Sequence, residues 1–161
     1  MNHYIVGIDP GLTGALAFLD LEGVLLHVAD MPVAANEVTG AGLLSVLKEW
    51  EDFAEKRSPN GITVVVEQLA AYPKNGSIGN FKVGFSYGVI LGVVAARWQV
   101  ERVRPGVWKR VMGVTADKET SRKRALDLWP SSTELFKRKK DSGRAEAALI
   151  ARWFYEKGTR S

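Results

Sequence analysis

Four acidic residues are placed where the chain could gather metal-binding oxygens. Asp9 ends the short apolar run YIVGID, and Pro10 and Gly11 turn the chain straight after it. An ionised Asp at the end of a buried strand is costly to desolvate, so a bound cation or a hydrogen-bonded turn must compensate it. Asp-Pro-Gly is itself a good turn sequence, and on these residues alone both readings stand. Glu67 repeats the pattern by closing ITVVVE, a run of mostly β-branched residues. If the two runs are neighbouring parallel strands, their carboxylates lie roughly 5–6 Å apart at matching ends. Acids that close repel each other, and a shared proton or bound cations relieve the repulsion. Asp141 and Glu146 open the last amphipathic segment, DSGRAEAALIA. On a regular helix, five residues turn them about 140° apart. Both reach one site only if Asp141 precedes the helix and Ser142 and Gly143 let the chain turn. The alternative for this pair is capping, because acids at a helix start favour its dipole by about 0.3–1 kcal/mol.

Cations are concentrated in one block. Residues 97–140 hold 13 of the 22 basic and five of the 18 acidic residues, a net of +8, so the remainder of the +4 chain nets −4. Such a block suits a polyanion, nucleic acid first, and the plain alternative is a set of solvated helix surfaces. Lys109 and Lys118 are candidates to hold a phosphate of such a partner. Arg104, Arg110, Arg122, Lys123 and Arg124 are candidates for backbone phosphates. Tyr72, Lys74, Trp108, Lys139, Lys140 and Arg144 complete the candidate DNA-contact set. His3 and His27 lie away from the acids in sequence and receive no role.

The elements that must position these groups follow from periodicity. Tyr4–Asp9 reads as a strand buried on both faces. Ala15–Leu19 and Val24–Val28 read as a hairpin that continues it into an antiparallel meander. Thr39 opens a helix to about Lys56, with Leu43, Leu44, Leu47, Trp50 and Phe53 or Ala54 as its stripe, and Ser58, Pro59, Asn60 and Gly61 stop it. That helix is the crossover to the strand Ile62–Glu67, which makes the first and fourth strands parallel. Ala70–Ser77 is a loop at the same edge as the acids. A long helix follows over Ile78–Trp98, with Gly84, Gly88, Gly92 and Ala96 at every fourth position. Glycine in a helix costs about 1 kcal/mol relative to alanine, so the stripe implies close backbone approach. Packing on the protein's own sheet is the favoured expectation and a dimer face the sharper one. A strand over Val100–Val103, helices over Gly106–Met112 and Lys118–Leu128, and a closing helix over Gly143–Tyr155 buried along Ala147, Ile150, Ala151 and Phe154 complete the chain.

Composition bounds the class. With 161 residues, 46% apolar and 25% charged, the chain fits one globular domain over 1–161. Its longest apolar run, Val89–Ala96, is far short of the ~20 residues of a membrane span. The first twenty residues lack a basic start and apolar core, so no secretion signal is expected and the expected location is cytoplasmic. Cysteine is absent, which excludes disulfide and thiolate-metal frameworks.

GIDPG at 7–11, VVVEQ at 64–68 and DSGRAEAALIA at 141–151 resemble the RuvC-like Holliday junction resolvases of the ribonuclease H-like superfamily, in order and over essentially the whole chain. The resemblance implies an α/β ribonuclease H-like fold, with a five-stranded mixed sheet of three antiparallel and then parallel strands flanked by helices. It implies that Asp9, Glu67, Asp141 and Glu146 hold two Mg2+ ions, with Mn2+ able to substitute. Two ions about 3.5–4 Å apart activate a water on one side of a phosphodiester and stabilise the leaving 3′ oxygen on the other. The departure is the closing pair. Bacterial members place two aspartates three residues apart, whereas here the spacing is five and the second acid is Glu, a D-x-G-R-A-E pattern similar to phage-encoded and chloroplast resolvases. Bacterial members also carry a Phe soon after the fourth-strand acid. Leu69 and Ala70 follow Gln68 here, so either Tyr72 takes the role of stacking at the junction centre or the role is absent.

The expected activity is a Mg-dependent endodeoxyribonuclease that makes paired symmetric nicks in four-way DNA junctions. It would act as a homodimer through the 78–98 helix, because a twofold enzyme presents two active sites to a symmetric junction. The same site could act on flaps, forks or RNA–DNA hybrids. From a different class, the chain could be a noncatalytic junction-binding module, shown by a gel shift without cleavage.

Overall fold

A computed structural model describes residues 3–58 and 61–159. Pro59 and Asn60, expected to stop the first helix, lie outside the described residues.

The first run of the chain forms β1 (Tyr4–Asp9), which pairs antiparallel with β2 (Ala15–Leu19), itself antiparallel to β3 (Leu25–Asp30). The last of these begins one residue later than periodicity implies and runs to Asp30. Asp20 Oδ1 accepts from the N–H groups of Glu22 and Val24 at 3.0 and 2.8 Å, which keeps Val24 in the turn. A small hairpin that periodicity did not reveal follows, β4 (Val33–Ala34) and β5 (Glu37–Val38), turning on Ala35 and Asn36 at φ +50° and +61°. Two positive-φ positions suit the twist of a two-residue hairpin, but the sequence lacks the Asn-Gly or Asp-Gly pair that marks such turns.

Helix α1 (Gly40–Glu55) is the crossover to β6 (Ile62–Glu67), which pairs parallel with β1. It buries Leu43, Leu47, Trp50 and Ala54, whereas Leu44, expected in the stripe, lies on the rim and is exposed. Next come α2 (Gly76–Ala95) and β7 (Gln99–Val103), the latter parallel to β6. The sheet order is β3-β2-β1-β6-β7, the mixed five-stranded arrangement expected. Helices α3 (Pro105–Met112), α4 (Lys118–Leu128), the one-turn α5 (Thr133–Phe136) and α6 (Ser142–Thr159) close the fold.

Alternation along the strands divides the core in two. Tyr4, Val6, Ile8, Val64 and Val66 pack with α1 and α2, and Ile5, Val65 and Val103 pack with α3, α4 and α6. Gly7 faces the second layer, where a Cβ would stand 2.1 Å from the Ala147 carbonyl oxygen. Only glycine lets α6 lie this close to β1. Wedged in this way, α6 buries nearly every residue from Ser142 to Ile150, a wider face than the expected stripe.

Two expectations for α2 are overturned. It begins and ends earlier than 78–98, leaving Ala96 outside the helix and Trp98 beyond it, where the indole N–H donates to Glu51 Oε1 at 2.9 Å. Its buried residues are Ser86, Ile90 and Val94, whereas nothing lies within 4 Å of a Cβ built on Gly84, Gly88 or Gly92. The glycine stripe therefore faces outward rather than onto the sheet, beside exposed Phe81 and Phe85. By length and composition alone, Pro73–Ala95 could cross a membrane, which the shorter uninterrupted apolar runs had hidden.

Candidate active site

The parallel register Ile8↔Val66 makes Asp9 and Glu67 leave adjacent strands side by side. Helix α6 supplies the third carboxylate. Its N-terminal turn packs on the chain after β1, where a Cβ on Gly143 would stand 2.4 Å from the Thr13 carbonyl oxygen and 3.3 Å from Asp9 Oδ2. One turn later, Glu146 shares the helix face of Gly143 and is 7% exposed, as is Glu67.

These three carboxylates act on one another. Asp9 is raised well above the ordinary carboxylate range, first by desolvation and then by the charges of Glu146 and Glu67, with Lys118 and Lys109 opposing. Glu67 is also raised, chiefly by burial and then by Glu146, against the hydrogen bond from Trp108 and the charges of the same two lysines. Trp108 Nε1 donates to Glu67 Oε2 at 2.6 Å, and Lys109 Nζ lies 3.4 Å from Glu146 Oε1. Mutually repelling, desolvated oxygens with no soft donor fit a hard divalent cation. Among the described residues no group of three or more acids or histidines is arranged to hold an ion.

Asp141 is in a different state. It ends a 3₁₀ turn, Lys139–Asp141, immediately before α6, the position required for it to approach the site. Its carboxylate accepts from the Arg138 backbone N–H at 2.9 Å and from that residue's guanidinium at 2.9–3.2 Å, with Arg144 Nη1 at 3.8 Å. Burial would raise it, but the Arg138 contacts outweigh burial and hold it below the ordinary range.

Of the expected DNA contacts, Tyr72, Lys74, Arg104, Arg110, Lys118, Lys123, Lys139 and Lys140 are exposed. Trp108 is not among them: it is fully buried and its N–H orients Glu67. Arg122 is also withdrawn, since its guanidinium donates to the Phe136 carbonyl at 3.0 Å, to the Lys137 carbonyl, and to Glu119. Arg144 donates to both oxygens of Asp30 at 2.7 and 2.9 Å, and the Nε of partly buried Arg124 is shielded without a hydrogen-bond partner among the described residues. Sequence reasoning missed Asp30, Arg138 and Asn80, and gave Gly143 as a turn residue rather than as a close contact to Asp9. The Asn80 side chain pairs with the N–H and C=O of Tyr72, both at 3.0 Å, and so fixes the loop after β6. Beside the carboxylates, Leu12, the Asn36 hairpin tip, Tyr72, Phe81 and Phe85 line an open groove of about 480 Å3.

No family model matches the sequence, and no curated protein matches it. Solved structures do. RuvC of T. thermophilus in complex with a Holliday junction substrate is similar at TM-score 0.66 and 22% identity, over 97% of both chains. A second Thermus thermophilus RuvC structure gives 0.61, also at 22% identity over 97% of both. The yeast mitochondrial Holliday junction resolvase gives 0.52 at 13% identity, over 94% of this chain and 77% of the other. The fold is thus the ribonuclease H-like fold of RuvC, as the three sequence motifs implied.

Proposed function

We propose that the chain is a divalent-metal-dependent endonuclease that resolves four-way DNA junctions by paired nicks, acting as a homodimer. The observation that carries this reading is the convergence of Asp9, Glu67 and Glu146 at one end of a RuvC-like fold, each desolvated or crowded by the others, beside Lys109. Asp9, Glu67, Glu146 and, from the rim, Asp141 would hold Mg2+, which supplies water activation and leaving-oxygen stabilisation when bound. Trp108 orients Glu67, and Lys109 and Lys118 offer charge to the scissile phosphate. Arg104, Arg110, Lys123, Lys139 and Lys140 follow the DNA backbone, and Tyr72 stands at the groove mouth to stack on a base. The outward face of α2, with its glycine stripe and Phe81 and Phe85 exposed at 73% and 46%, is the surface for the second copy.

The test separates binding from cutting. With a labelled four-way junction in Mg2+, the native protein cuts, whereas Asp9→Asn and Glu67→Gln retain the gel shift and lose cleavage. Undiminished nicking by either variant removes the mechanism, and native binding without cleavage in Mg2+ or Mn2+ leaves a junction-binding module.

A further inference from the structure

Two kinds of acid stand among the candidate ligands. Asp9, Glu67 and Glu146 crowd one another, with Lys109 Nζ 3.4 Å from Glu146 Oε1 beside them, whereas Asp141 is matched by the guanidinium of Arg138. Arg138 surrounds that carboxylate with one backbone and three guanidinium contacts between 2.9 and 3.2 Å. Arg144 approaches from the other side at 3.8 Å and is itself anchored to Asp30. Exposure of the pair is unequal: the Asp141 side chain is 2% exposed and that of Arg138 is 47%. Lys139 and Lys140, directly after Arg138, are exposed as well. The cation that neutralises Asp141 is therefore one that a phosphate can reach. A guanidinium fork donates bidentately to phosphate as readily as to carboxylate, and neighbouring lysines raise the local concentration of a polyanion.

We infer that Arg138 is a positioning residue that keeps Asp141 out of the metal site until a DNA phosphate takes its guanidinium, so that the free protein holds one divalent ion and the DNA-bound protein two. This rests on the proposed role of Asp141 as a metal ligand. The arrangement couples substrate binding to completion of the site and prevents the free enzyme from assembling a two-ion centre on solvent alone.

Calorimetric and electron-paramagnetic titration with Mn2+ tests it. The probe is a four-way junction carrying bridging 3′-methylene phosphonates at the crossover, which keep the charge and resist hydrolysis. The native protein binds one Mn2+ per chain alone and two with the junction. Arg138→Met binds the second ion without DNA at least tenfold more tightly than the native protein does, and Arg138→Lys is intermediate. Two ions of equal affinity on the native protein with and without junction overturn the inference, and this arm needs no substitution. Arg138→Met that still requires the junction, with an unchanged melting curve, also overturns it. Asp141→Asn separates the layers. If it retains the second ion with the junction, the ligand role of Asp141 fails and the inference falls with it. If it loses that ion while Arg138→Met behaves as native, only the coupling through Arg138 fails.

Discussion

The indole N–H of Trp108 donates to Glu67 Oε2 at 2.6 Å, from a ring with no exposure to solvent. A hydrogen bond of this kind fixes which oxygen of a ligating carboxylate faces the metal, and removing such an outer partner typically costs about 10–100-fold in metal affinity or activity. Trp108→Phe keeps an aromatic ring and deletes the donor. Junction cleavage is expected to fall by about that range, with partial recovery at higher Mg2+, measured as rate against metal concentration.

Asp9 makes the metal-free protein sensitive to pH. Its folded-state pKa is raised by burial and by Glu146 and Glu67. Its favourable contribution is therefore complete below the unfolded value near 3.8 and is lost as pH rises through the folded one. In EDTA, ionisation of the site above that folded value weakens the fold. Asp9→Asn is expected to raise the Tm there by about 2–4 °C for each 1 kcal/mol of repulsion removed, and to respond less to added Mg2+. Asp30 and Asp141, lowered by their arginines, behave oppositely: their contribution is present at neutral pH and lost as pH falls through their folded values. Thermal melts across pH, with and without metal, check both signs.

Gly143→Ala is expected to damage site and fold together. The added Cβ would lie 2.4 Å from the Thr13 carbonyl oxygen and 3.3 Å from Asp9 Oδ2, so α6 must shift and carry Glu146 with it. Overpacking against backbone typically costs about 1–3 kcal/mol, and a comparable fall in stability with near-complete loss of cleavage is the expected pair of readings. Gly106→Ala, with nothing within 4 Å of the new Cβ, is the control.

The outward face of α2 predicts a surface whose mutation alters association and leaves the fold intact. Gly88 has open space for a side chain and Phe81 is 73% exposed. Gly88→Glu with Phe81→Asp should yield a monomer of native helicity by light scattering, with loss of paired but not single nicks. If the double variant remains a dimer, α2 is not the interface.

The strand order and the likeness to RuvC were legible because central strands carry unbroken apolar runs and both end on acids. What escaped was pairing. Trp108 reads as an exposed aromatic in a basic segment, and only the packing of α3 beneath Glu67 shows it to be interior. Arg138 was hidden in KRKK, where four like charges resemble a solvated surface, although Asp141 lies three residues on and accepts its guanidinium. The glycine stripe gave the period of a close contact but not the face that makes it, since α2 is apolar all round. The hairpin Val33–Val38 escaped because Ala-Asn replaces the usual turn pair.

A strand-by-strand map of nicks in a mobile four-way junction, with Mg2+ and with EDTA, bears most heavily on the proposed activity. Symmetric, ligatable nicks in two strands of like polarity, absent in EDTA and absent with Glu67→Gln, are the expected result. Cleavage that persists in EDTA, or that prefers a flap or an RNA–DNA hybrid to the junction, would contradict it.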